Sequence, residues 1–203
     1  MSMIGAASAL KIGPRSLGLQ DDGRPIDVDE FASATLIPPY RYERAKGRLV
    51  VMPPDGEAHV AASEPWLESL IVHRHFHREI VRCVVPNAWV RIDGETDRIG
   101  DIGVYLAGSE PAAPIPDAVP DLMLEIVSPG KADRDRDYIE KKAEYHRLGI
   151  REYVIIDRFR KTVTVCSYQP EGYDERVLTE ADVYESPLLP GFALPLAQAF
   201  RDE

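Results

Sequence analysis

The sequence predicts an α/β (α+β) domain in which a mixed central β-sheet is flanked by helices. Apolar residues recur at helical spacing in two stretches, residues 58–80 and 133–148. Between and after them come short runs rich in Val, Ile and Leu, each bounded by turn residues, which is the pattern of strands. The chain's 203 residues match a single domain, and 44% hydrophobic residues suffice for a sizeable core.

Residues 1–24 carry Gly, Pro, Ser and charge without periodicity, so a flexible leader is expected ahead of one domain spanning 25–203. Asp27 is placed to cap a short helix through Asp29, Glu30 and Phe31, because its carboxylate accepts free amide N–H groups and suits the positive end of the helix. The run YRYERAKGRLVVMPP reads as a hairpin turning at Ala45 to Gly47, with Pro53-Pro54 ending its second strand. In residues 58–80, Val60, Trp66, Leu67, Leu70 and Ile71 share a helical face; Pro65 belongs in a first turn, which makes Ser63 the candidate N-cap.

RCVVP, NAWVRID, RIGDIGVYL and DLMLEIVS then follow as strands. Pro111, Pro114, Pro116 and Pro120 forbid regular structure before the last of these, where an exposed excursion is expected. A second helix from about Asp133 to Leu148 ends on Gly149 as a left-handed cap. EYVIID and KTVTVCSYQ are two more strands, and the tail from Asp182 holds short apolar pieces broken by Pro187, Pro190 and Pro195.

Composition excludes several classes. No apolar run approaches the ~18–20 residues of a membrane span, and residues 3–10 lack the basic flank of an export signal. Cys83 and Cys166 both fall in strands and read as buried thiols in a reducing cytoplasm. With 24 basic against 34 acidic residues the net charge is −10, which opposes long-range attraction to a polyanion. From Lys131 to Lys161 the balance reverses, with 10 basic and 7 acidic residues.

The informative residues are carboxylates inside apolar strands, since burying one without a partner costs several kcal/mol (about 2–7 even for a neutral polar group). Glu125 interrupts LMLEIV and Asp101 interrupts RIGDIGVYL. Alternation puts Met123, Glu125 and Val127 on one face, and Ile99, Asp101, Gly103 and Tyr105 on one face. If the two strands are neighbours, the carboxylates converge, and two hard oxygen ligands with water completing the shell suit Mg²⁺. On the helix that follows, about 100° per residue places Lys141 within the arc of Tyr138, Tyr145 and Leu148. An ammonium there is explained by a nearby negative charge, or by a stem that packs while its head reaches water.

These runs together, YERAKGRLVVMPP, a helix beginning near His59, RIGDIGVY, DLMLEIVSP, the set Asp137, Lys141, Tyr145 and Gly149, then EYVIID and KTVTVCSY, resemble the Uma-type family of restriction endonucleases within the PD-(D/E)XK nuclease superfamily. The resemblance covers roughly residues 27–200 and implies a restriction-endonuclease-like fold. It implies that Asp101 and Glu125 are the motif carboxylates, Glu43 the upstream acidic residue and Lys141 the helix-borne lysine. Gly100 stands where the motif has Pro. Val127 stands two residues after Glu125, where the motif has Lys, so the lysine has moved to the helix, with Lys142 and Lys131 as alternatives to Lys141.

The implied activity is Mg²⁺-dependent hydrolysis of DNA phosphodiesters, with Mn²⁺ as a substitute. Asp101, Glu125 and the carbonyl of Ile126 would hold the metal, and Lys141 would position the nucleophile or stabilise phosphoryl oxygens. Glu43 would bind metal or orient water, and His59, Lys142 and Lys131 are candidates for substrate contact. A homodimer is expected because double-strand cutters often pair two sites. The competing class is a catalytically silent nuclease fold retained as a dimerisation or binding module. Of the remaining residues, His73, His75 and His77 cannot all converge on one helix face, and Asp137 reads as a helix ion pair four residues before Lys141. Ser128 lacks a paired base.

Overall fold

The computed structural model describes residues 15–108 and 118–200. In chain order the strands are β1 (Ser16–Leu17), β2 (Thr35–Leu36), β3 (Arg41–Ala45), β4 (Arg48–Met52), β5 (Val81–Arg91), β6 (Asp97–Leu106), β7 (Leu122–Ile126), β8 (Glu152–Asp157), β9 (Thr162–Gln169), β10 (Gly172–Thr179), β11 (Val183–Tyr184) and β12 (Leu194–Pro195). The helices are α1 (Val28–Ser33), α2 (Glu57–Phe76), α3 (Lys131–Asp135), α4 (Lys142–Leu148) and α5 (Leu196–Ala199). Between α3 and α4 the backbone continues through a π-helical turn, Arg136–Lys141.

Eight strands form one sheet in the order β10-β9-β8-β7-β6-β3-β4, with β5 also paired to β6. All its pairs are antiparallel except β7 with β8, the two strands joined through the α3–α4 helix, so the sheet is mixed as expected. One apolar face, with Ile102, Leu124, Ile126 and Val154, packs on Trp66 and Leu70 of α2 and on Leu194, Leu196 and Phe200 of the C-terminal segment. The other face, with Met123, Val127, Tyr153 and Ile155, packs under Tyr145 of α4. The tail is thus core rather than appendage.

The arrangement around β6 positions the site. β5 runs along one edge of β6 from Leu106 to Asp97. On the opposite edge β7 pairs only with residues 102–104, and β3 touches only Asp97. Residues 98–101 therefore lie in a fork between β7 and the β3–β4 hairpin, where their backbone groups must find side-chain partners.

Several local expectations change. Residues 15–24, placed in the leader, belong to the fold: Leu17 is fully buried with Phe31, Tyr42 and Leu49, β1 pairs with β2, and Asp22 accepts from the Val51 N–H. Residues 1–14, and Pro111, Pro114 and Pro116 of the excursion, lie outside the described residues. The helix capped by Gly56 starts eight residues before Pro65, which is interior; Ser63 is not its N-cap but bonds back to the Val60 carbonyl. β10 escaped detection because it is an exposed edge strand made largely of polar residues, fixed by its full pairing with β9. The hairpin turns on Lys46 and Gly47, both with positive φ, and Gly149 caps α4 in the left-handed conformation at φ 79°.

Candidate active site

Glu125 and Asp101 face each other across the fork: the β6–β7 register pairs Gly103 with Met123, which extended by two residues sets Asp101 opposite Glu125. One Asp101 oxygen accepts from the Ile126 N–H at 2.7 Å, taking the place of a missing strand partner. The other faces His59 Nε2 at 3.3 Å and Arg41 at 3.4 Å. Burial raises the Asp101 carboxyl, but His59, Lys141 and the Ile126 amide outweigh it and hold the group below its ordinary value. Burial works to lower the His59 imidazole, and Asp101 and Asp55 reverse this and raise it.

Lys141 projects from the π turn into the fork. Its ammonium donates to Glu125 Oε1 at 2.8 Å and to the Ile99 carbonyl at 3.0 Å, and lies 3.8 Å from Glu43. The Tyr145 hydroxyl donates to the same Glu125 oxygen at 2.9 Å. Glu125 Oε2 accepts no hydrogen bond from any described residue. Burial pushes the Glu125 carboxyl up to about 8; Lys141 opposes this, and Asp101 and Asp137 add to it. Lys141 itself is kept charged, because Glu125 and Glu43 overcome the cost of its burial.

Glu43 is fully buried, yet it stands behind Lys141 and does not line the cavity in front of Glu125. Its oxygens accept from the Ile99 N–H at 2.8 Å and from Arg98 at 3.2 Å. Arg98 also pairs with Glu144 at 2.8 Å and Glu140 at 3.2 Å, so it clamps the hairpin strand β3 to the helix that carries Lys141. The structure therefore brings Glu43, Asp101, Glu125, Ile126, Lys141 and His59 together. It places the other two lysines elsewhere: Lys142 binds Glu175 of β10 at 2.8 Å, and Lys131 lies exposed beside Asp135 at 2.9 Å. Lys131 and Asp135 stand four residues apart and so meet on the exposed side of the helix, and Lys142, about 100° round from Lys141, points to β10 instead of the fork.

Three further residues belong to the site. Asp137 is buried at the cavity, its carboxyl raised chiefly by that burial, with Arg136 at 3.6 Å. Its spacing before Lys141 reads as a helix ion pair, although the family resemblance counts it with Lys141, Tyr145 and Gly149. Arg41 bridges Asp55 at 2.6 Å and Asp101. Asp55, His59 and Asp101 each bring a ligand atom within 4.8 Å of the others. Sequence offered no signal for Arg41, which meets Asp101 only through the fork; for Asp55 the available signal was its place four residues before His59, which it faces at 3.6 Å.

A cavity of about 20 Å³ lies between Asp101, Glu125, Asp137 and Lys141. It opens toward a cleft of about 400 Å³ that shares Arg41, His59, Ser128 and Arg136 with it and adds Pro53, Asp55, Pro129 and Arg158. The smaller volume holds one water-sized occupant, for which ~10–15 Å³ suffices; the larger one has room for a phosphate and its neighbours.

A forked mixed sheet with a carboxylate pair and a helix-borne lysine at the fork defines a nuclease-like domain. The chain belongs to the Uma2 family, described as "Putative restriction endonuclease", which matches residues 28–197. Its fold is similar to that of a crystal structure titled a putative nuclease belonging to DUF820 from Anabaena variabilis. The TM-score is 0.71 at 18% identity, over 87% of this chain and 98% of that one. No curated protein matches the chain. Among the described residues no helix is long and apolar enough to cross a membrane.

Proposed function

We propose that the protein is a Mg²⁺-dependent endonuclease that hydrolyses DNA phosphodiesters at the fork. The observation that carries this is Glu125: a buried carboxylate with one oxygen tied to Lys141 and Tyr145 and the other facing a cavity without a donor. A carboxyl pushed up by burial and by two neighbouring carboxylates calls for added positive charge, and oxygen donors of this kind suit Mg²⁺. Asp101, Glu125 and the Ile126 carbonyl would hold the ion, whose chemistry is to lower the pKa of a bound water and neutralise charge on the phosphoryl group. Mn²⁺ is a natural substitute, the more so because the His59 nitrogen stands beside Asp101.

The chain's own residues do the rest. Lys141, held charged by two carboxylates, presents an ammonium to the nucleophile or to a phosphoryl oxygen. Glu43 positions that lysine and the Ile99 amide, and Arg98 fixes Glu43 in turn. His59, with Arg41 and Arg136, faces the cleft where a phosphate would enter. A homodimer would pair two such sites for double-strand cutting, and the two free thiols suit a cytoplasmic protein.

The test is cleavage of plasmid and linear DNA with Mg²⁺, Mn²⁺ or EDTA by wild type, Asp101→Asn and Glu125→Gln. Metal-dependent cutting lost in both variants is the expected result; equal activity in all three proteins sinks the reading. If wild type neither cuts nor binds metal in calorimetry, the protein is a silent nuclease fold serving as a binding module. Sedimentation of the intact chain tests the dimer.

A further inference from the structure

The tight turn joining β8 to β9, residues 158–161, carries an aromatic side chain that the core does not use. Phe159 is 45% exposed. The turn is tied to the end of β8, where Asp157 accepts from the backbone N–H groups of Phe159 at 3.0 Å and Arg160 at 3.1 Å. The Arg158 guanidinium lies 4.3 Å from the ring centroid, and that of Arg134, from α3, lies 5.7 Å away. Neither arginine has a carboxylate partner among the described residues, and the Nε of each is buried without a hydrogen bond. Their neighbours differ: Arg136 pairs with Asp133 at 3.1 Å, and Arg160 lies 3.7 Å from Asp157. Two uncompensated cations have thus been gathered on one exposed ring.

The location gives this a meaning. Arg158 lines the cleft of about 400 Å³ over the carboxylates, and with Phe159 and Lys161 it also lines a second hollow of about 420 Å³ beside α2. A chain with one phosphate at Asp101 and Glu125 would continue past Arg158 onto Phe159. Aromatic faces stack on any unpaired base, and guanidinium groups stack as well or pair with the flanking phosphates. A base inside a duplex is already stacked and cannot use such a platform.

We infer that Phe159, flanked by Arg158 and Arg134, is a stacking platform for an unpaired base, so that the preferred substrate is DNA with a single-stranded segment next to the cleaved bond. This rests on the nuclease reading for the chemistry, but not for the binding.

The experiment is fluorescence anisotropy of a labelled oligothymidylate and of a labelled blunt duplex, without divalent metal, with wild type, Phe159→Ala, Phe159→Leu and Phe159→Tyr. Stacking on one aromatic predicts single-strand affinity weaker by about 5- to 150-fold in the Ala variant. The Leu variant, apolar but not aromatic, should be equally weak; the Tyr variant should recover, and duplex binding should not change. Near-UV circular dichroism checks that the variants fold. Single-strand affinity that is unchanged in the Ala variant, or fully kept by Leu, overturns the platform. Wild type that binds oligothymidylate through Phe159 yet never cuts DNA removes the nuclease reading and leaves the platform. Wild type that cuts all substrates alike without needing Phe159 does the reverse.

Discussion

Removing the ammonium of Lys141 tests the charge arrangement of the fork most directly. In Lys141→Met the methylene stem is largely replaced, while Glu125 at 2.8 Å and Glu43 at 3.8 Å lose their shared cation. Leaving one partner of a buried pair uncompensated costs about 3–5 kcal/mol. For a chain of this length each kcal/mol moves the melting temperature by about 2–4 °C, so the expected drop near pH 8 is about 6–20 °C. The penalty should depend on pH with a definite sign. Burial already pushes the Glu125 carboxyl up to about 8 from an ordinary 4.5, and without Lys141 it rises further. A carboxyl raised in the folded state binds its proton more tightly there than in the unfolded chain. Its stabilising contribution is therefore complete below 4.5 and is lost as pH climbs through the folded value. Urea unfolding should accordingly show a smaller Lys141→Met penalty at pH 5, where Glu43 alone is left short of a cation, and a larger one at pH 8. The double variant Glu125→Gln/Lys141→Met should recover much of the loss at pH 8, because a neutral amide replaces the stranded charge. A penalty that is the same at both pH values, with no recovery in the double variant, would refute the claim that Lys141 balances Glu125.

Other outcomes can be stated briefly. Calorimetric binding of Mn²⁺ should weaken at least tenfold in Asp101→Asn and in Glu125→Gln, and His59→Ala should weaken Mn²⁺ binding more than Mg²⁺ binding. Gly100→Ala should cost about 1–3 kcal/mol in thermal denaturation, since a Cβ there would fall 2.0 Å from Met123 Sδ; Met123→Ala in the same chain should remove most of that added cost. Glu152, raised by burial and bonded to the Tyr184 hydroxyl at 2.5 Å, also loses stabilisation as pH rises above 4.5. Glu152→Gln should therefore gain in urea midpoint relative to wild type at pH 8 but not at pH 4. Arg98→Met should destabilise the fold by about 3–5 kcal/mol, because it strands Glu43 and Glu144.

Much of this was legible in the chain because strands that are buried on both faces declare any charge among them. Glu125 and Asp101 stood out inside apolar runs, and alternation brought them to one face on the condition that the two strands are neighbours, which β6 and β7 are. Lys141 was readable from its helical phase. The pattern could not show what depends on the fork itself. Asp137 has the spacing of an ordinary helix ion pair, and the packing of the helix on the sheet buries it. Arg41 and Arg98 reach Asp101, Glu43 and Glu144 some 46 to 60 residues away, for which one sequence carries no local trace, whereas Asp55 meets His59 only four residues on. Pro65 reads as a helix start because its missing N–H is cheapest there, yet the tertiary contacts of Trp66 and Leu70 hold the helix through it. Gly100 stands where the motif has Pro, and its neighbour Met123 already fills the space that a side chain there would need.

The π turn at Arg136–Lys141 has a further bearing on how the site could be altered. Relative to an α-helix it inserts one residue, and one residue is about 100° of rotation. It works as a phase adjuster between two halves of one rod: Tyr145 and Glu144 are docked on the sheet side, while Asp133 and Arg136 are swung toward the mouth of the cleft. Excision of the exposed Ile139 would let the rod relax to an unbroken α-helix. The anchored half would keep its seat and the mouth half would turn away, so a single-residue deletion would carry Asp137 out of the cavity and re-aim the entrance while leaving Asp101 and Glu125 on their strands.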